Sequence, residues 1–277
     1  MSLQQKIEKL YELPIEKIDR NEAFEVIEDF KCSLNRGEIR AAEKITGTWK
    51  VNDWVKKGIL LAFRVGEHSE VSDGDVFQFF DKDTMGVRQL SINHGVRIVP
   101  GGTVIRDGAY VAEGVVIMPP SYINIGAYVD EGTMIDSHAL IGSCAQIGKR
   151  VHCSAAAQIG GVLEPIGSLP VIVEDDVFIG GNCGIYEGTV ISNRAVIAAG
   201  VIITGSTPVY DLVHKKILKK SASYPLVIPE GAVVVPGARQ INQSFGKDNS
   251  LSLSTPIIIK YRDEKTDTAT ILEESLR

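Results

Sequence analysis

The chain of 277 residues is 44% hydrophobic and 23% charged, the balance of an ordinary globular protein with ample core. Its formal net charge of −6 argues against a nucleic-acid partner, which would need a basic face to neutralise phosphate. No apolar run approaches the ~20 residues of a membrane span, and the charged start MSLQQKIEKLYELP lacks a signal-peptide core, so a cytoplasmic protein without a membrane partner is expected.

Residues 1–95 read as a mixed, mostly helical region. Asn21 to Arg36 places Phe24, Ile27, Phe30 and Leu34 on one helical face, with Gly37 as its stop. IRAAEKITGTWKV has the pattern of a short hairpin turning at Gly47. A second amphipathic segment runs from about Asn52 to Phe63, with Trp54, Val55, Ile59 and Leu61 as core. GEHSEVSDGD, at 66–75, is polar and turn-rich and reads as a loop.

From Val99 the period changes to six. Val99, Ile105, Val111, Ile117, Ile123, Val129, Ile135, Ile141, Ile147, Cys153 and Ile159 are all apolar, and a smaller residue follows most of them by four places. At GVLEPIGSLPVI two extra residues interrupt the register, which resumes at Val173, Ile179, Ile185, Ile191, Ile197 and Ile203. An insertion, VYDLVHKKILKKSASYPL, spans 209–226, and the spacing returns at Ile228. Pro256 to Tyr261 reads as a strand before a polar tail.

Six residues make one short strand and a tight turn, and three such units close a triangular coil of eighteen. The aliphatics point inward, the small residues fill corners, and glycines such as Gly132, Gly142, Gly148, Gly160, Gly180 and Gly188 stand where a side chain would clash. The fold expected is mainly β: a left-handed parallel β-helix over 96–240 with an inserted loop at 209–226. An α-rich domain at 1–95 precedes it and a small β region at 241–277 follows. The handedness rests on the hexapeptide-repeat resemblance. A prism of this kind has little depth for a pocket, so ligands would bind between neighbouring prisms of an oligomer.

The four cysteines, Cys32, Cys144, Cys153 and Cys183, form no CxxC pair and are expected as buried free thiols. His138 and His152 occupy different slots of the repeat, so three histidines around a zinc are not available and no metal is expected. His138 remains a candidate base of the kind used by sugar-acylating hexapeptide proteins, or a solvated histidine. Asp130 and Asp136 share one slot of successive units, and the period alone does not separate a turn residue from a reactive one.

SYINIGAYVDEGTMIDSHALIGSCAQIGKRVH, QIGGVLEP and IYEG within the repeat resemble the tetrahydrodipicolinate N-succinyltransferases. AAEKITGTW, WVKKGILLAFR and GVRIVP outside it do so too. The resemblance implies a homotrimer with sites between subunits, no permanently bound cofactor, and succinyl-CoA as co-substrate. Its product would be N-succinyl-2-amino-6-oxopimelate in lysine and diaminopimelate synthesis. It implies that Asp136 is the catalytic base and amine contact and that Arg97 holds a substrate carboxylate, for which a planar two-donor group is suited. Ser154 and Glu187 join them as substrate-contact candidates. The family often has a second acidic residue where this chain has Gly184, which puts a two-carboxylate mechanism in doubt. For coenzyme A the candidates are the coil edge from Gly200 to Ser206 and the lysine run Lys215, Lys216, Lys219 and Lys220. Alternatives are the N-acetyltransferase of the same pathway, a sugar-nucleotide acyltransferase, and a non-catalytic solenoid scaffold.

Overall fold

Each hexapeptide contributes a two-residue strand whose second residue points inward, in a computed structural model that describes residues 1–72, 78–222 and 224–263. Pairing is parallel and steps by eighteen, so that Ile141 lies between Ile123 and Ile159. Three faces result. Face I carries the rungs Ile105, Ile123, Ile141, Ile159, Ile185 and Ile203. Face II carries Val111, Val129, Ile147, Val173, Ile191 and Ile228. Face III runs through Ile98, Ile117, Ile135, Cys153, Ile179, Ile197 and Val234. Ile98 is 41% exposed, and every other rung belongs to one buried cluster, which also takes in corner residues such as Ala109, Ala127, Ala139 and Ala157. Where the corner residue is Ser121 or Thr133, its hydroxyl donates to a carbonyl at 2.7 or 2.8 Å, which satisfies the buried oxygen.

The repeat departs from the sequence reading in two places. Its first rung is Ile98 rather than Val99, because Ile98 pairs with Ile117 and the next coil absorbs one extra residue at Pro100-Gly101-Gly102. The interruption after Ile159 is also larger than two residues. Val173 follows Ile159 directly onto the next face, pairing with Ile147, so this fourteen-residue step holds one unit of six and eight extra residues. The extra segment has an apolar anchor of its own, Leu163, which packs against the helical core. Of the glycines, Gly132 needs its positive φ of 66°. Gly142 is required for close approach instead, since a Cβ there would lie 2.2 Å from the Gly161 nitrogen.

Helices α1 (Leu3–Glu12), α2 (Arg20–Asn35) and α3 (Asp53–Val65) form a second core with Ile125 and Cys144 of the solenoid. Asp19 caps α2 by accepting from the Asn21 and Glu22 amides. Strands β1 (Ala42–Ile45) and β2 (Thr48–Val51) form the expected hairpin, turning through Thr46 and Gly47 at φ 48° and 83°. The hairpin is held to face II by Glu174, which is 8% exposed. Its carboxylate accepts from Lys44 at 2.6 Å, Trp49 Nε1 at 2.8 Å and the Asn193 amide at 3.2 Å. Lys56, fully buried in α3, donates to the Ser168 carbonyl and so holds the extra segment down.

The polar stretch expected as a loop includes strand β3 (His68–Glu70), paired with β4 (Phe80–Lys82), while residues 73–75 lie outside the described residues. The insertion is likewise more ordered than a loop. Val209–Asp211 and Lys216–Leu218 pair as a hairpin, and the first of these strands lies parallel to the last one, Ser252–Tyr261. That last strand, which contains the one expected at 256–261, returns antiparallel along Ala232–Gln240. The polar tail from 264 lies outside the described residues. Asp211, 3% exposed, ties these pieces together by accepting from the His214 ring at 2.9 Å and the Tyr261 hydroxyl at 2.8 Å. Burial alone would raise the Asp211 carboxyl, yet the bonds from His214 and Tyr261 outweigh it and hold it below the ordinary range. Burial, with the Asp211 bond, pushes the Tyr261 phenol up to about 12.

Two predictions follow from these contacts. Ile141→Ala is expected to lower unfolding free energy by about 2–5 kcal/mol, read from urea titration. Glu174→Ala is expected to cost about 2–3 kcal/mol by leaving charged and indole donors unpaired. Only Glu174→Ala should also red-shift tryptophan emission, since it frees the Trp49 indole from face II.

The Asp211 cluster sets a pH window for the C-terminal strap. A lowered carboxyl contributes stability above its unfolded pKa and loses it as pH falls through the lower folded value. A raised phenol contributes stability below the unfolded value near 10 and loses it as pH rises through about 12. Burial raises the Tyr128 phenol as well, so ultraviolet phenolate titration should lose one late-titrating tyrosine, the one near 12, in Tyr261→Phe.

Candidate functional site

Eighteen-residue stacking decides which side chains meet. Asp136 directly follows the rung Ile135, and Ser154 directly follows the rung Cys153 of the next coil, so the two are neighbours in one row beside face III. Their backbones are fixed alike, the Asp136 amide donating to Cys153 O and the Ser154 amide to Ile179 O, each at 2.9 Å. Asp136 Oδ1 accepts from the Ser137 amide at 2.7 Å. Its Oδ2 lies 3.9 Å from His152 Nε2, which reaches over from the outward row of the next coil. The carboxylate is 30% exposed and the imidazole 13%, so both are partly desolvated yet one remains reachable. The His152 ring stands edge-on to Phe178, with centroids 5.0 Å apart. A carboxylate beside an imidazole in this setting is chemically able to take a proton from an incoming amine.

Arg97 belongs to the same outward row of face III, in register with Val116, Met134 and His152 on successive coils. Arg97, Asp136 and Ser154 therefore share one face. Glu187 does not join them. It sits at the corner between faces I and II with φ 45°, accepting from the Gly205 amide at 2.8 Å. There it lines a cleft of about 680 Å³ together with Trp49, Lys220 and Tyr224. The space a side chain at Gly184 would need is taken by the Tyr186 ring, 2.5 Å from where a Cβ would stand.

The coenzyme candidates are spread over two regions. Gly200 lies at the corner between faces III and I, with φ 78° and its nitrogen bonded to Gly181 O. Ser206 is exposed in a hydroxyl network, 3.2 Å from Thr204 Oγ1. Lys215, Lys216 and Lys219 are exposed on the inserted hairpin and after it, while Lys220 reaches the cleft of Glu187. His138 is an exposed corner residue with φ 63°, in the same column as Gly200 and away from the row of His152. Among the described residues, no three of His, Cys, Asp and Glu gather in a way that could hold a metal.

Two assignments need correction or addition. Cys32 is exposed, whereas Cys144, Cys153 and Cys183 are buried as expected. Burial pushes the Cys144 and Cys153 thiols up to about 12, which leaves them unreactive. Cys32 is exposed because it lies on the solvent side of α2. His152 is the neighbour of Asp136 that the sequence reading passed over. The signal was present in the register, which places 152 beside 134 and 154 beside 136.

Comparison with known proteins identifies the family. A family model for the tetrahydrodipicolinate N-succinyltransferase N-terminal region matches residues 2–65, and one for the hexapeptide repeat of succinyl-transferase matches residues 170–205. A 2,3,4,5-tetrahydropyridine-2,6-dicarboxylate N-succinyltransferase from Alkalilimnicola ehrlichii is 46% identical over 91% of this chain and 89% of its own. The enzyme of that name from a Psychrobacter species is 42% identical over 100% of this chain and 99% of its own. A solved Campylobacter jejuni chain, provisionally assigned as a 2,3,4,5-tetrahydropyridine-2-carboxylate N-succinyltransferase, has a TM-score of 0.48 at 16% identity, over 89% of this chain and 64% of that one. By its near-full-length identity to these enzymes, the chain belongs to the tetrahydrodipicolinate N-succinyltransferase family of hexapeptide-repeat acyltransferases.

Proposed function

We propose that the protein transfers the succinyl group of succinyl-CoA to tetrahydrodipicolinate, giving N-succinyl-2-amino-6-oxopimelate and free CoA, in the cytoplasm. The observation that carries this reading is identity of 42–46% to named succinyltransferases along nearly the whole chain, non-repeat segments included. The cyclic imine is hydrated or opened to expose an amine, which attacks the thioester carbonyl. The new C–N bond forms, the C–S bond breaks, the amine proton passes to Asp136, and the sulfur leaves as thiolate and is protonated to CoA thiol. His152 orients the carboxylate. Arg97 holds a substrate carboxylate, with Ser154 and Glu187 as further contacts. Gly200 to Ser206 lies along the pantetheine arm, and Lys215, Lys216 and Lys219 face the CoA phosphates.

The working form in this proposal is a homotrimer with sites at its subunit boundaries. Face II is covered by the β1–β2 hairpin. Faces I and III instead present outward rows that include the partly or fully exposed Val104, Tyr122, Leu140 and Ile202 on one side and Met134 and Phe178 on the other. Apolar rows of this extent favour burial against another copy. Asp136 and His138 lie beside the corner where these two faces meet.

Thiol release from succinyl-CoA, with 2-aminopimelate as acceptor, tests the chemistry. Asp136→Asn is expected to lower kcat about 10²–10⁴-fold, and Arg97→Ala to raise acceptor KM, while His138→Ala stays near wild type. Loss of turnover in His138→Ala, with Asp136→Asn active, would move the protein to the sugar-acylating class. Turnover with acetyl-CoA alone would move it to the N-acetyltransferases.

Mixing tests the shared site. Because Glu187 and Asp136 lie at different corners of one chain, both reach one substrate only from different copies. Co-refolded Asp136→Asn and Glu187→Gln chains should regain up to about a quarter of wild-type activity by random assembly. Sedimentation should give a particle of three 30.0 kDa chains. A monomer that retains full activity would end the trimer reading.

A further inference from the structure

Between the β1–β2 hairpin and face II lies a crevice of about 210 Å³, remote from the row of Asp136. It has room for about seven waters at ~30 Å³ each, too little for a CoA-sized molecule. Arg40 projects into it. The guanidinium carbon lies over the Tyr128 ring, 3.6 Å from its centroid, and Nε donates to Gln146 Oε1 at 2.9 Å. Among the described residues, neither Nη atom of Arg40 has a hydrogen-bond partner. The group is thus fixed in orientation while its two-pronged edge is left open, the arrangement that suits a carboxylate.

The remaining lining is acidic. Lys44 and Glu174 pair at 2.6 Å and cancel. Asp130 and Asp175 are left, each using one oxygen on a backbone amide: Asp130 Oδ1 takes the Glu131 N–H and Asp175 Oδ1 the Lys149 N–H, both at 2.9 Å. Both carboxylates act electrostatically on Arg40, whose pKa burial pulls down and Tyr128, Asp130, Glu43 and Asp175 push back up. Just outside the lining, Lys149 is neutralised by Glu131 at 2.7 Å. Within the lining, the charges without an ion-pair partner are then one cation and two anions. Their complement is a small molecule with one carboxylate and two ammonium groups.

We propose that this crevice binds a diamino monocarboxylic acid, its carboxylate on the Arg40 Nη edge and its two ammonium groups on Asp130 and Asp175. Binding would tie the hairpin to the solenoid through the ligand as well as through Glu174. Asp130, which the sequence presents only as a turn residue, gains a ligand-binding role.

The probe is L-lysine, with L-norleucine lacking the side-chain amine and cadaverine lacking the carboxylate. In calorimetric titration and thermal melts of the whole protein, L-lysine should bind and raise Tm, and the two partial analogues should bind about tenfold or more weakly. Asp130→Asn retains the oxygen that accepts from Glu131, so it should fold, and it should weaken L-lysine about tenfold. Arg40→Lys, which keeps the charge but not the fork, should do the same. Asp136→Asn should leave the affinity unchanged. No binding of L-lysine, equal binding of norleucine, unaltered affinity in Asp130→Asn, or loss of binding in Asp136→Asn would each overturn the proposal.

Discussion

Everything in this molecule hangs on the eighteen-residue register of its parallel ladders. A rung that slipped by one residue would turn its aliphatic outward and its polar neighbour into a core with no water to receive it. The register therefore tolerates extra residues only at corners, where the chain is already leaving the sheet. The single extra residue near Gly101-Gly102, the eight after Ile159 and the long insertion before Ile228 all enter between faces, and the rungs on either side remain paired. The same rule sets which side chains meet. Side chains eighteen residues apart become neighbours, so Asp136 meets Ser154 and Met134 meets His152 without a contact between them being specified locally.

The second constraint is a single buried carboxylate. Glu174 takes three donors, two from the hairpin and one from the next coil, and each is needed because an ionised oxygen at 8% exposure is costly unless bonded. Through it the N-terminal region occupies face II. That choice leaves the other two faces to the solvent side of the chain, and it creates the crevice in which Arg40 is held.

Much of this was legible in the sequence because a solenoid is specified by local repetition. The inward aliphatics, the small corner residues, the β1–β2 turn at Gly47 and helices α2 and α3 all follow from period and composition. What the sequence hid has physical reasons. Val99 is apolar and in phase, yet the pairing energy of Ile98 with Ile117 shifts the first rung. Chain length cannot tell a two-unit step with two extra residues from a one-unit step with eight, since both span fourteen. The pair of strands at His68 and Phe80 is polar and short, so alternation gives no signal. Cys32 sits on the outer side of an amphipathic helix, where thiol burial statistics do not apply. His152 was visible only to stacking arithmetic, because it is sixteen residues from Asp136 in sequence and adjacent in space.

A triangular prism filled by its own side chains has no interior to lend to a substrate. Chemistry on it must use an outer row, and an outer row desolvates a carboxylate only if something covers it. The molecule divides its surface accordingly. One face is spent on the N-terminal hairpin, two keep several apolar outward residues, and among the polar ones Asp136, His152 and Ser154 lie beside the corner that those two faces share. Had the hairpin docked on face III instead, Asp136 would be sealed against its own chain with no room for an acceptor. Placement of the hairpin by Glu174 thus leaves Asp136 on an uncovered face while Asp130 lines the crevice beside the hairpin.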